Sequence, residues 1–129
     1  MTRKKQSGPT EREIEILKIL WQGGPSTVRQ VNEVMNARQE TGYTTTLKLM
    51  QIMVDKGLLS RDDSQFKHLF TAAVSEESTQ KQLVGNLLEH VFSGSTEKLV
   101  MRALSAKKIS KRDLGKIREL IERMEEKQK

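Results

Sequence analysis

The run Thr44-Thr45-Thr46-Leu47-Lys48-Leu49-Met50-Gln51-Ile52-Met53-Val54-Asp55-Lys56-Gly57 continues as Leu58-Leu59-Ser60-Arg61-Asp62-Asp63-Ser64-Gln65-Phe66-Lys67-His68-Leu69-Phe70-Thr71-Ala72. At about 100° per residue, Thr44, Lys48, Gln51 and Asp55 fall in one narrow polar stripe, and Thr46, Leu49, Met50 and Met53 fall opposite. A helix over residues 44–56 is predicted, with the second group in the core. Gly57 suits the left-handed residue that closes such a helix. Leu47 and Ile52 flank the polar stripe, so this helix is more apolar than solvent exposure alone favours. Beyond it, residues 58–61 read as a short strand and 62–65 as a turn. Residues 66–72 read as a returning strand with Phe66, His68 and Phe70 on one face. His68 is thus expected half-buried on that strand.

Upstream, Thr10-x-x-Glu13 forms a capping box, in which hydroxyl and carboxylate each satisfy an orphan backbone N–H. Ile14, Ile16, Leu17, Leu20 and Trp21 follow at helical spacing until Gly23-Gly24-Pro25 stops them. A second box, Thr27-x-x-Gln30, opens a helix with Val28, Val31 and Met35 inward, and residues 37–42 read as a loop. Three helices and then a hairpin is the order of a winged helix-turn-helix, its second and third helices forming the pair. Downstream, Ser75-x-x-Ser78 begins a helix carrying Leu83, Val84, Leu87, Leu88, Val91 and Phe92, with His90 read as mid-helix. Ser93-Gly94-Ser95 breaks it. A short helix holds Leu99, Val100, Ala103 and Leu104. Ser110-x-x-Asp113 then caps a last helix with Leu114, Ile117, Leu120, Ile121 and Met124 at three- and four-residue spacing. These apolar stripes are wider than one small neighbour can bury. The fold class is therefore mainly α with a small β-hairpin wing: a basic tail over residues 1–9, a winged helix-turn-helix over 10–74 and a helical dimerisation region over 75–129.

The 129 residues carry 23 Lys or Arg against 17 Asp or Glu, a net charge of +6. Divided at residue 74, the two parts are each +3, so the excess reads as diffuse, densest at Arg3-Lys4-Lys5 and at Lys107, Lys108, Lys111 and Arg112. The chain has no Cys, which excludes disulfides and thiolate chemistry, and two isolated His with no metal-ligand spacing argue against a metal site. No cofactor is expected. The glycines sit at helix ends rather than in a phosphate-binding loop. Neither His has a sequence-local nucleophile, and pairs such as Asp62-Asp63 and Glu125-Glu126 read as turn and tail solvation. No enzyme is expected. Without an apolar leader or a membrane-length apolar run, a cytoplasmic protein with no membrane insertion is expected.

A third helix of this composition suits the major groove. Gln51 can bond adenine bidentately, Lys48 can reach guanine or phosphate, and Thr44, Thr45 or Leu47 can touch a thymine methyl. Arg61, Lys67 and His68 on the wing can position the domain on phosphates without reading sequence. The rival interpretation is a winged helix that docks on another protein through Leu47 and Ile52.

These residues resemble the penicillinase and methicillin-resistance repressors (BlaI/MecI type), a family of winged-helix transcriptional regulators. The likeness spans roughly residues 8–125: Thr10-x-x-Glu13-x-Glu15-Ile16-Leu17 through Leu20-Trp21, Gly24-Pro25-x-Thr27-Val28, Tyr43-Thr44-Thr45, Met50, Met53-Val54-Asp55-Lys56-Gly57-Leu58 and the Leu99-Val100 helix. The resemblance implies a homodimeric repressor on a palindromic DNA operator. It implies that Leu83, Leu87, Leu88, Val91, Leu99, Ala103, Leu114, Ile117, Leu120, Ile121 and Met124 hold two subunits together. It also implies relief by a membrane sensor-protease, although Arg102-Ala103 stands where the best-known members carry the cleaved Asn–Phe bond. Copper-responsive relatives carry C-terminal cysteines, which this chain lacks. Gln65 replaces a wing-tip glycine common in the family.

Overall fold

Both predicted capping boxes form. The Thr10 hydroxyl accepts the Glu13 N–H at 3.2 Å while the Glu13 carboxylate accepts the Thr10 N–H at 3.0 Å, and α1 (Glu11–Gly23) follows. Thr27 and Gln30 repeat the exchange at 3.1 and 2.9 Å to start α2 (Val28–Arg38), which runs two residues into the loop predicted over 37–42. The structure, a computed structural model, describes residues 8–64 and 66–129. Arg3-Lys4-Lys5 and Gln65 lie outside the described residues. Of the stretch read as a tail, Pro9 is buried and a Cβ on Gly8 would meet Leu83 at 3.0 Å, so these two are packed into the fold.

The third helix, α3 (Tyr43–Asp55), buries Thr46, Met50 and Met53 against Ile16, Leu17 and Leu20 of α1 and Val31 and Met35 of α2. Leu49 packs partly buried at its edge. At the helix end the Gly57 N–H donates to the Val54 carbonyl (3.1 Å) and the Leu58 N–H to the Met53 carbonyl (2.9 Å). This paired closure needs a left-handed residue, and Gly57 has φ +82°. The chain thereby reverses into β1 (Leu59–Asp62), which pairs antiparallel with β2 (Leu69–Ala72), Arg61 opposite Phe70. Leu59 and Phe70 enter the core. Ser26 adds a bridge to the outside of β2, its N–H donating to the Phe70 carbonyl at 3.0 Å and its carbonyl accepting from the Phe70 N–H at 2.8 Å. The indole N–H of Trp21 donates to the Val74 carbonyl (2.9 Å), fixing the chain where it leaves the wing.

The returning strand is shorter than its alternation suggests. The Asp62 carboxylate accepts the Ser64 N–H (2.9 Å) and hydroxyl (2.7 Å), a local turn that takes the chain out of the ladder. Phe66, Lys67 and His68 consequently lie in the hairpin loop. Phe66 is 100% exposed and Phe70 2%, so they do not share a face, and His68 is exposed rather than half-buried. The Ser64 hydroxyl, and then its amide, hold the Asp62 carboxyl below its usual pKa. The turn's contribution is therefore present above the ordinary carboxylate range and is lost only as pH falls through that lowered value.

The described residues form two compact units, divided after Asn86. Helix α4 (Glu76–His90) starts in the first, where the Thr79 hydroxyl donates to the Ser75 carbonyl at 2.8 Å and is buried, and it ends in the second. His90 is its last residue, not a mid-helix one. Ser93 (φ +50°) and Gly94 (φ +81°) turn the chain into α5 (Thr96–Ala106), and Ser110 caps α6 (Lys111–Lys127) through the Asp113 N–H. No residue from 87 to 129 is buried.

Candidate nucleic-acid interface

The connection between α2 and α3 is tied by side chains that leave α3 one orientation. The Asn32 amide donates to the Thr41 carbonyl and to the Thr46 hydroxyl, both at 2.9 Å. The Asn36 side chain accepts the Thr41 N–H at 2.8 Å, and Arg12 donates to the Thr41 hydroxyl at 2.9 Å. At the other end of α3, Lys56 Nζ lies 2.8 Å from the carboxylate of Glu13, which is 3% exposed. A buried carboxylate keeps its charge cheaply only when so paired. One ion pair and one amide network thus fix both ends of the helix against α1 and α2.

With Thr46, Met50 and Met53 inside, α3 turns Thr44, Thr45, Lys48, Gln51, Ile52 and Asp55 to solvent and leaves Leu47 half-buried. Gly42, at its N-cap, supplies no side-chain hydrogen bond, unlike Thr10 and Thr27. Arg61 pairs with Phe70 on the core-facing side of the hairpin but lies at the outer end of the strand, so its side chain emerges beside α3. It borders two concavities. One is lined by Gln51, Val54, Asp55, Asp63 and Phe70. The other is lined by Tyr43, Leu47, Phe66, Lys67 and His68 together with Thr27, which caps α2, and Val28 and Arg29 of that helix. Leu47 and Gln51 of the helix thus adjoin Arg61, Lys67 and His68 of the wing, whereas Thr44, Thr45 and Lys48 are exposed on α3 and line neither concavity.

Within this region Asp63 gathers two of the three wing side chains, Arg61 and His68. Arg61 Nε is 2.9 Å from its carboxylate, and His68 Nδ1 is 2.6 Å from the same oxygen. Nε is only one of the donors of a guanidinium, so the outer N–H groups of Arg61 stay available for an anion. Lys48 and Lys67 make no ion pair among the described residues and are exposed. Two members had not been picked out as candidates. Arg29 lies 5.9 Å from the ring centroid of Tyr43, a cation–π approach beside the concavity that both residues line. Periodicity could not find Arg29, because only the packing of α2 on α3 brings it to the wing. Tyr43 carried one signal, its place immediately before the exposed threonines.

The apolar residues of the C-terminal part differ in their surroundings. Leu83 packs at Gly8 in the first unit. Leu87, Val91, Leu114, Leu120, Ile121 and Met124 are exposed, Val91 to 64% and Met124 to 55%. Leu88, Leu99 and Ile117 are half-buried, and Ala103 is exposed. Leu104, Leu114, Ile117 and Ile121 line a shallow apolar groove on α5 and α6.

Among the described residues no set of His, Cys, Asp and Glu could hold a metal ion, and no helix is long and apolar enough to cross a membrane. The comparison with curated proteins returns no match. A family model described as penicillinase repressor matches residues 9–123, from the proline before the first capping box to the last helix, and so includes the winged helix and the helices after it. The chain belongs to the penicillinase repressor family, whose members are transcriptional regulators and not enzymes.

Proposed function

We propose that the protein is a cytoplasmic, sequence-specific repressor that binds a palindromic operator as a homodimer. Residues 10–74 read one half-site, and residues 75–129 join the subunits. In this assignment Thr44, Thr45, Leu47, Lys48 and Gln51 face base edges in the major groove, while Arg61, Lys67 and His68 hold the flanking phosphates. The observation that carries it is the solvent face of α3, in which Lys48 and Gln51 are exposed and Gln51 borders a concavity with Arg61. Two-fold symmetry then requires half-sites about one helical turn apart, or a multiple of it. The exposed Leu87, Val91, Leu120, Ile121 and Met124 support the homodimer, since each half-exposed side chain has about 1 kcal/mol to gain from burial.

The rival interpretation, docking on a protein, draws support from exposed Tyr43, Ile52 and Phe66. Salt separates the two. A duplex selected from a random pool should lose roughly 10³-fold in affinity between about 50 and 200 mM salt, whereas an apolar docking surface barely responds. Selection that enriches no duplex rejects the DNA assignment. Relief of repression we assign to a membrane sensor-protease acting on α5, where Arg102 and Ala103 are both exposed. Protein that stays intact in cells exposed to a β-lactam would remove that step.

A further inference from the structure

The even split of charge at residue 74 conceals a strong asymmetry. From residue 8 to 86 the chain has 9 basic and 10 acidic side chains, a net of −1, although this stretch holds the whole winged helix. Residues 98–118 alone have 8 basic side chains against one acidic, Asp113, a net of +7. All eight cations are exposed, and none makes an ion pair among the described residues. Their densest part is the turn from α5 into α6, with Lys107, Lys108, Lys111 and Arg112 in six positions. The last two occupy the first two residues of α6, after its Ser110 cap.

That position is unfavourable for the helix itself. The first turn carries the positive end of the macrodipole, and cations there cost a few tenths of a kcal/mol each. Solubility needs no such placement, because the same charges would serve at the C-terminal end. A protein that grips DNA draws most of its affinity from cations on phosphates, and in the winged-helix stretch the nine cations are outnumbered by ten carboxylates. We infer that the α5–α6 turn, Lys107, Lys108, Lys111 and Arg112, is a second phosphate-binding surface that holds operator-flanking duplex independently of base sequence. This inference rests on the DNA-binding assignment above.

The test is the variant K107Q/K108Q/K111Q/R112Q in the full chain, with K127Q/K129Q as a control at the acidic end of α6. Affinity is measured against salt on two duplexes, one carrying the operator with long flanks and one trimmed to the operator. On the long duplex the slope of log affinity against log salt should fall by about one for each contact removed, and affinity at least tenfold. On the trimmed duplex the variant should differ little from the parent, preference among operator variants should be kept, and K127Q/K129Q should change neither duplex. An unaltered slope on the long duplex overturns the inference. So does an equal loss on both duplexes, or a variant that sediments as a monomer, which would make the turn part of the subunit interface. If the parent chain binds no duplex, the DNA assignment itself fails; if the parent binds with salt dependence and the variant matches it, only this inference does. The substitutions remove cations from a helix start, so α6 should be no less stable, which helicity by circular dichroism verifies.

Discussion

Leu120→Asp or Ile121→Asp should convert the repressor to monomers and cost it about 10²-fold or more in affinity for the full operator. Both side chains are nearly half exposed, at 49% and 47%, on the apolar stripe of α6. Residues 87–129 hold no fully buried side chain, and ordering a chain costs about 1–2 kcal/mol per residue in backbone entropy alone. Helices α5 and α6, which have no buried side chain, gain little toward that cost, and this supports a second surface covering them. A carboxylate on the covered face would have to be desolvated without a partner, at several kcal/mol. The loss in DNA affinity follows from linkage, since joining two half-site binders makes the second contact intramolecular and is worth about 10² to 10⁴. Sedimentation should give the monomer mass, and affinity for an isolated half-site should stay at the parental level. A variant that still sediments as a dimer, or a half-site affinity that falls as steeply as the full-site one, contradicts this account. Asp at Gln128, in the exposed tail, should change neither.

Local chemistry made much of this fold legible beforehand. Thr10-x-x-Glu13 and Thr27-x-x-Gln30 each place two complementary groups three residues apart, and both boxes form as read. Gly57 announced the end of α3 because few other residues accept its φ of +82°. The buried side of α3 followed from period alone. Where the sequence misled, two local signals competed. Alternation across Phe66, His68 and Phe70 favoured a long strand, but Asp62 offers its carboxylate to the Ser64 amide and ends the ladder early. The interface was half legible for a related reason. Lys48 and Gln51 share a helix, so their common face can be counted, and the wing cations follow from the hairpin. The ties from Lys56 to Glu13 and from Asn32 to Thr46 span 43 and 14 residues, and the bridge from Ser26 to Phe70 is longer still than the second. No period encodes such pairs.

Gln51→Ala and Lys48→Ala should each weaken binding to the selected operator by about 1–3 kcal/mol, or roughly 5- to 150-fold. The two differ in what else they should do. A glutamine that bonds both edges of one adenine discriminates at one base pair, so Gln51→Ala should flatten the affinity profile there and leave the other positions unchanged. Lys48 can reach either guanine or phosphate. If it serves a base, its loss flattens a neighbouring position; if it serves a phosphate, affinity falls alike for every duplex and the salt slope drops by about one. Either result keeps the helix in the groove. The side chains are three residues apart and can share water and phosphate, so the double variant should lose less than the sum. Asp55, four residues beyond Gln51 on the same stripe, supplies the opposite sign. Its carboxylate is exposed with no ion pair among the described residues and in the proposed complex would repel phosphates, so Asp55→Asn should strengthen binding a few-fold on all sequences without altering preference. None of the three side chains is buried, so the fold should be unaffected and thermal unfolding should match the parent. Equilibrium binding against the operator and its single-base variants decides the matter. If Gln51→Ala and Lys48→Ala both keep the parental affinity and profile, the exposed stripe of α3 is not the reading face, and the helix must meet its partner through Tyr43, Leu47 and Ile52 instead.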